Sequence, residues 1–230
     1  PPPPAGSSGG GRAAANMPGD EARGGDQPAD AAAPPAVVAA GTQRKFVPLE
    51  KPVPADEEGA SAVRRRLPLV VIASLIDKTP NLAGLCRTCE VFNCEALCLA
   101  SAKITKDQTF QSISVTAEKW MPVHEVPRAA LREYLLELRR RGYAVIGIEQ
   151  THNSISMEEW TFPDGPTAIL LGAEKEGIDA DLIPLLDACV EIPQAGQIRS
   201  LNVHVSGSLA VWEYTRQHLA AKALKALAQG

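Results

Sequence analysis

Short apolar runs of strand length alternate with helical patterns over residues 69–227 of this chain. The runs are rich in β-branched residues, and the segments between them repeat apolar residues every three or four positions. Because parallel strands need long crossover connections, this alternation predicts an α/β fold with a mostly parallel sheet and helices on both faces. We expect strands at 69–75, 95–100, 120–126, 143–148, 167–171 and 189–192. We expect helices at 81–93, 129–141, 179–186 and 202–227, and loops with a helical turn at 103–118.

Proline, glycine and alanine are concentrated before this alternation begins. Residues 1–66 contain 11 Pro, 9 Gly and 15 Ala. Such a segment buries too little apolar surface to offset the entropy cost of ordering it, so we expect a disordered tail and linker. Residues 67–230 are long enough to bury a core of their own, so they are expected to form one domain.

Five cysteines bear on both compartment and chemistry. No run of about 18 apolar residues and no secretory signal is visible, so we expect no membrane span and a reducing location, cytoplasmic or nuclear.

Four cysteines fall within residues 86–98, which raises the alternatives of a zinc site or a redox pair. Their spacing lacks the usual separation between zinc-ligand pairs, and a redox pair normally opens a helix. We therefore expect buried structural thiols and no metal site.

Two polar stretches follow predicted strands, at the positions where α/β folds bind ligands. The first is NLAGLCRTCE at 81–90, in which Asn81 is suited to cap a helix and Arg87 stands in an otherwise apolar segment. A guanidinium in such a segment needs a partner, and its planar fork suits phosphate. The second is AILLGAEKEGI at 168–178, in which Glu174 lies between two glycines. Taken singly, each stretch is also consistent with an ordinary cap or a solvated loop.

A third polar stretch, at 191–214, leads into the last predicted helix. Ser200 and Asn202 stand just before that helix, where either side chain can cap it or line a site for a polar ligand. None of the three stretches contains a GxGxxG or GK[ST] pattern, which argues against a nucleotide-binding oxidoreductase.

In this order and spacing, the three stretches resemble the motifs of the SpoU/TrmH branch of the SPOUT methyltransferases, which act on ribose 2′-hydroxyls of RNA. The matching positions are an Asn with an Arg six residues on, a G-x-E, and an Ile-Pro-x-x-Gly segment followed by Ser-Leu-Asn: Asn81, Arg87, Gly172, Glu174, Ile192, Pro193, Gly196, Ser200, Leu201 and Asn202. The departures at Ala83 and His204 leave the polar positions intact. The sequence of these motifs resembles that of a eukaryotic group of tRNA guanosine 2′-O-methyltransferases, which act at D-loop position eighteen.

The resemblance implies a fold, a cofactor and partners. The fold would carry a C-terminal trefoil knot at roughly 167–214, an exception to the rule that chains do not thread loops. S-adenosylmethionine would bind in the knot, held largely by backbone groups of Ile148, Gly172, Ile192 and Leu201. The substrate would be tRNA, and the protein would be a homodimer through the knot region with a site completed across the interface.

The resemblance also implies roles for the five polar residues. Asn81 and Asn202 would orient the ribose and Arg87, Ser200 would place the target hydroxyl, and Glu174 would hold the hydrogen-bond network. Arg87 would act as a base or as a phosphate clamp. Arginine remains protonated up to about pH 12, which makes it a poor base and keeps the phosphate clamp open as the other role. A catalytically silent RNA-binding adaptor with the same fold is the alternative function.

The formal net charge of −4 requires contacts with RNA to be local. The candidate basic positions are 64–66, Lys103, Lys106, 139–141 and Arg199.

Overall fold

A seven-stranded sheet, in which every neighbouring pair of strands is parallel, forms the centre of the domain. The computed structural model describes residues 66–198 and 200–227, with side chains as far as residue 221. The strand order is β3-β2-β1-β6-β4-β7-β5. In chain order the strands are β1 (Leu67–Ile72), β2 (Cys94–Leu99), β3 (Val123–Glu125), β4 (Ala144–Ile148), β5 (Ile155–Ser156), β6 (Thr167–Leu171) and β7 (Ala188–Glu191).

Helices cover both faces of the sheet, as predicted. They are α1 (Thr79–Val91), α2 (Gln108–Ser114), α3 (Leu131–Arg140) and α4 (Val203–Leu227). Because successive strand residues point to opposite faces, Leu69 and Val71 of β1 join a core with α1 and α4, whereas Val70 and Ile72 pack against α3. The predicted α/β class is therefore confirmed, with the core divided into two layers by the sheet.

The end of α3 follows the sequence prediction closely. Gly142 has φ 84°, a conformation that glycine adopts without a steric penalty. The N–H of Tyr143 donates to the carbonyl of Leu138 at 3.0 Å, and the N–H of Gly142 donates to the carbonyl of Arg139 at 2.9 Å. These bonds satisfy carbonyls that the helix end would otherwise leave unpaired.

The predicted helix at 179–186 is wrong. A single 3-10 turn at Ile183–Leu185 is present instead, because Pro184 has no N–H to continue a helix. Basic side chains before and on α3 hold the rest of the segment: Arg128 pairs with Asp179 at 2.5 Å, and Arg132 donates to the carbonyl of Asp181 at 3.0 Å.

Other elements differ from the prediction in length. The strand expected at 120–126 is limited to Val123–Glu125. The helix Gln108–Ser114 is longer than the expected turn, and the short strand Ile155–Ser156 lacked a sequence signal.

Several arginines that are candidates for RNA contact also make contacts within the domain. Arg66 donates to Glu90 and to the carbonyl oxygens of Cys94 and Trp120, at 2.7–2.9 Å. Arg139 pairs with Asp187 at 3.0 Å. Arg140 pairs with Glu137, and Arg141 lies over the ring of Tyr143. Arg64, Arg65, Arg199 and the predicted disordered tail before Arg66 lie outside the described residues.

Candidate active site

The three polar stretches meet at the carboxyl edge of the sheet. β1 pairs with β6 and β6 with β4, which in turn pairs with β7. Because all of these strands are parallel, the segments that follow β1, β6 and β7 emerge at the same edge. Asn81 follows β1, Glu174 follows β6, and Ser200 and Asn202 lie between β7 and α4.

A continuous chain of hydrogen bonds joins the three stretches. The side-chain amide of Asn81 donates from Nδ2 to Oε1 of Glu174 at 2.8 Å. Its Oδ1 accepts from Nδ2 of Asn202 at 3.0 Å. Oδ1 of Asn202 accepts from the backbone N–H groups of His204 and Val205 at 2.9 and 3.3 Å, which makes Asn202 the cap of α4. Glu174 is therefore connected through two asparagines to the first turn of the last helix.

Asn81 does not cap α1, so that prediction is wrong. The helix begins at Thr79, and its N-cap Lys78 makes no side-chain capping bond. Pro80 explains the earlier start, since its fixed φ and missing N–H suit the first turn of a helix. The amide of Asn81, which is only 7% exposed, is consequently available for the long-range bonds to Glu174 and Asn202.

A cavity of about 210 Å³ opens beside this hydrogen-bonded chain. All four predicted cofactor-binding residues line it, together with two of the predicted catalytic residues: Ile148, Gly172, Ile192, Leu201, Glu174 and Ser200. Among the residues that the structure describes, its charged lining consists of three carboxylates and one lysine: Glu149, Glu174, Glu191 and Lys175. The sequence prediction missed Glu149, although a charged residue directly after a buried strand was a signal that could have found it.

Arg87 does not join the network. Its side chain is exposed on α1, and within the described part of the chain it makes no hydrogen bond or ion pair. The five N–H donors of its guanidinium are therefore available to a partner. Ser200 is also exposed, and it lines the cavity without bonding to Asn81 or Glu174.

His204, at the start of α4, packs its ring against α1. Its ring occupies the space where a Cβ on Gly84 would lie, because the ring atoms are 2.5–2.8 Å from that position. Nε2 of the ring is 3.3 Å from the hydroxyl of Thr88, which also contacts the hydroxyl of Ser208 at 3.0 Å. Burial lowers the pKa of His204 below its ordinary value of 6.5. His204 is thus a packing residue beside the site network.

The five cysteines are buried free thiols, as predicted. Burial raises the pKa of Cys86 to about 12 and that of Cys98 to about 11. A hydrogen bond with Cys94, together with burial, raises the pKa of Cys89. Within residues 66–198 and 200–227, no group of three or more His, Cys, Asp or Glu side chains is arranged to hold a metal ion, and no helix is long and apolar enough to cross a bilayer.

Comparison with known families identifies the domain. Residues 68–212 match the family described as the SpoU rRNA Methylase family, and this range contains all three polar stretches. The chain belongs to the SpoU rRNA Methylase family. The relatives of this SpoU domain include a mouse (Mus musculus) protein named tRNA (guanosine(18)-2′-O)-methyltransferase TARBP1, which is 55% identical over 151 residues. That match covers 66% of this chain and 10% of the mouse protein, so the chain spans about a tenth of the length of this relative.

Two further SpoU relatives are bacterial. The tRNA (guanosine(18)-2′-O)-methyltransferase of Thermus thermophilus is 31% identical over 164 residues, covering 69% of this chain and 80% of the bacterial protein. The crystal structure of the A. aeolicus TrmH/SpoU tRNA modifying enzyme superposes with a TM-score of 0.61 at 25% identity, covering 68% of this chain and 79% of that one. The SpoU match thus extends from sequence motifs to the parallel sheet itself.

Proposed function

We propose that this chain transfers a methyl group from S-adenosylmethionine to a ribose 2′-hydroxyl of tRNA, with the guanosine at D-loop position eighteen as the target. The observation that carries the proposal is the hydrogen-bonded chain from Glu174 through Asn81 to Asn202, set beside a cavity lined by Ile148, Gly172, Ile192 and Leu201. Support for tRNA and position eighteen comes from the names of the mouse and Thermus relatives.

The charge of the cavity lining is complementary to that of S-adenosylmethionine. Its described lining holds three carboxylates and one lysine, an excess of negative charge that favours a ligand with a positive charge, such as a sulfonium. The loop at 172–178 is folded too tightly for a side chain at position 172, since a Cβ on Gly172 would lie 2.6 Å from the backbone carbonyl carbon of Gly177. Bound S-adenosylmethionine supplies an electrophilic methyl group.

The polar residues would hold the attacking ribose and polarise its hydroxyl. A hydroxyl is a weak nucleophile until its proton is removed or strongly polarised. Ser200, exposed at the cavity, would place the hydroxyl. Asn81 is hydrogen-bonded to Glu174 and to Asn202, which also caps α4, so the two amides would fix the ribose at little entropic cost.

Arg87 would clamp an RNA phosphate. Its exposed guanidinium makes no bond within the described residues, and a planar fork pairs well with phosphate oxygens. Lys103 and Lys106 are also exposed, in the segment that follows β2 at the same edge of the sheet, and they would extend the contact with the RNA backbone.

A homodimer would form through α4. Val205, Leu209 and Trp212 recur at spacings of four and three on one side of this helix, and each is 39–48% exposed. Trp212 packs against Phe92 with ring centroids 5.8 Å apart, and it borders a second cavity of about 360 Å³ that shares Ile192 with the first. A second copy covering this stripe would bury it next to the cofactor cavity.

The trefoil knot at roughly 167–214 and a cytoplasmic or nuclear location complete the proposal. Membership of the SpoU family supports the knot, and the five free thiols support a reducing compartment.

Methyl transfer to defined tRNA tests the function. The 230-residue chain is incubated with methyl-labelled S-adenosylmethionine and a tRNA transcript, and the modified nucleotide is mapped by mass spectrometry. Label at guanosine eighteen, absent from a transcript with a 2′-deoxy sugar there, is the expected result. Cofactor binding without transfer to any tRNA would favour the adaptor instead.

A further inference from the structure

Glu149 is a half-buried carboxylate that the proposed function uses only as one of the negative charges lining the cavity. It follows β4 directly, between the neighbouring strands β6 and β7. Its backbone N–H donates to the carbonyl of Val190 at 3.2 Å, which continues the ladder with β7 and fixes the base of the side chain. The side chain extends along the wall of the cofactor cavity.

The carboxylate of Glu149 reaches across to the loop that follows β6. Its Oε2 accepts a hydrogen bond from the backbone N–H of Ile178 at 3.0 Å. The same oxygen is 2.9 Å from where a Cβ on Gly172 would lie and 2.5 Å from where a Cβ on Gly177 would lie. The two glycines of the second polar stretch therefore make room for this carboxylate as well as for the turn.

The loop held by Glu149 carries the first member of the site network. Ala173 and Gly177 close it by reciprocal backbone hydrogen bonds of 2.9 and 3.0 Å, and Glu174 stands inside this closed turn. Glu174 then accepts from Asn81. A displacement of the turn would move Glu174 and the backbone of the cavity wall at the same time.

We propose that Glu149 is a positioning residue of the methyl-transfer site, which anchors the 172–178 turn so that Glu174 and the cofactor-facing backbone keep their places. The proposal rests on the proposed function. A hydrogen bond from a backbone N–H to a carboxylate is stronger than one to a neutral acceptor, which suits an anchor for a glycine-rich turn.

The test compares three variants of the whole chain. Glu149→Ala removes the acceptor, whereas Glu149→Gln keeps a side-chain oxygen for the N–H of Ile178. Glu176→Ala is the matched control, because it removes an exposed carboxylate of the same loop that does not line the cavity. The readouts are amide hydrogen exchange over 172–178, the Kd for S-adenosylmethionine by calorimetry, and kcat and KM with tRNA.

Glu149→Ala is expected to raise the Kd for S-adenosylmethionine by about tenfold, equivalent to about 1.4 kcal/mol, and to speed exchange at Ile178. Its kcat should fall while its KM for tRNA stays unchanged. Glu149→Gln should restore most of the loss, and Glu176→Ala should match the wild type.

Two outcomes would overturn the positioning role. One is wild-type exchange and cofactor affinity in folded Glu149→Ala. The other is an equal loss in Glu149→Gln and Glu149→Ala, since that would mean that charge alone matters. Hydrogen exchange needs no cofactor, so it still decides whether Glu149 holds the turn if the wild-type chain binds no S-adenosylmethionine, a result that would count against the proposed function separately.

Discussion

The substitution Gly84→Ala is expected to lower the free energy of unfolding when residue 204 is histidine and to raise it when residue 204 is alanine. A new Cβ at Gly84 would lie 2.5 Å from Cε1 and Nδ1 of the His204 ring, a distance that forces the ring to move. The ring is also 3.3 Å from the hydroxyl of Thr88, so its displacement weakens that contact as well. The lock between α1 and α4 therefore opposes an alanine that the helix itself would favour.

The magnitudes decide the sign. Overpacking costs about 1–3 kcal/mol, and alanine in a helix interior is favoured over glycine by about 1 kcal/mol. We expect Gly84→Ala alone to lower the free energy of unfolding by up to about 2 kcal/mol, since overpacking outweighs the helix propensity. In a His204→Ala background the obstruction is gone, and the same change should raise stability by about 0.5–1 kcal/mol.

Urea unfolding followed by far-ultraviolet circular dichroism measures the stability of the wild type, both single variants and the double variant. The expected coupling is the overpacking cost, about 1–3 kcal/mol. Gly207→Ala serves as the control. Its Cβ would meet Leu85 and Leu171 instead of His204, so its cost should be the same in both backgrounds. An equal effect of Gly84→Ala with and without His204 would refute the lock.

The remaining predictions concern the site and its surroundings. Asn81→Ala should lower the free energy of unfolding by about 1–3 kcal/mol in the same assay, because Glu174 loses a charge-assisted hydrogen bond; a loss below about 0.5 kcal/mol would contradict the network. Arg87→Ala should abolish methyl transfer to tRNA and leave the unfolding midpoint unchanged, since its side chain is exposed; normal turnover would count against its role. Cys86, whose pKa burial raises to about 12, should resist thiol reagents at mildly alkaline pH until urea unfolds the chain, and rapid labelling of the folded protein would disprove its burial. The unfolded chain binds a proton at His204 more readily than the folded one, so stability should fall as the pH drops below about 6.5, and His204→Ala should reduce that dependence in unfolding curves taken across this range.

Much of the fold was predictable because its signals are local. The β-branched runs of β1, β4 and β6 and the leucine spacing of α3 depend only on neighbours a few residues away. The failures have local causes as well. Pro184 interrupts the helix expected at 179–186, and Pro80 shifts the start of α1 and with it the role of Asn81.

The sequence alone predicted the three polar residues that the structure joins by hydrogen bonds, Asn81, Glu174 and Asn202, because the carboxyl ends of parallel strands converge wherever such strands form one sheet. Their partners were decided only by tertiary structure. The bonds of Asn81 to Glu174 and Asn202 span 93 and 121 residues, and no local pattern encodes such a pairing. The same packing sets the carboxylate of Glu149 over two glycines of a neighbouring loop and leaves Arg87 outside the network. Residue types and periodicity thus determine what each segment becomes, whereas the order of strands in the sheet determines which side chains come within hydrogen-bonding distance.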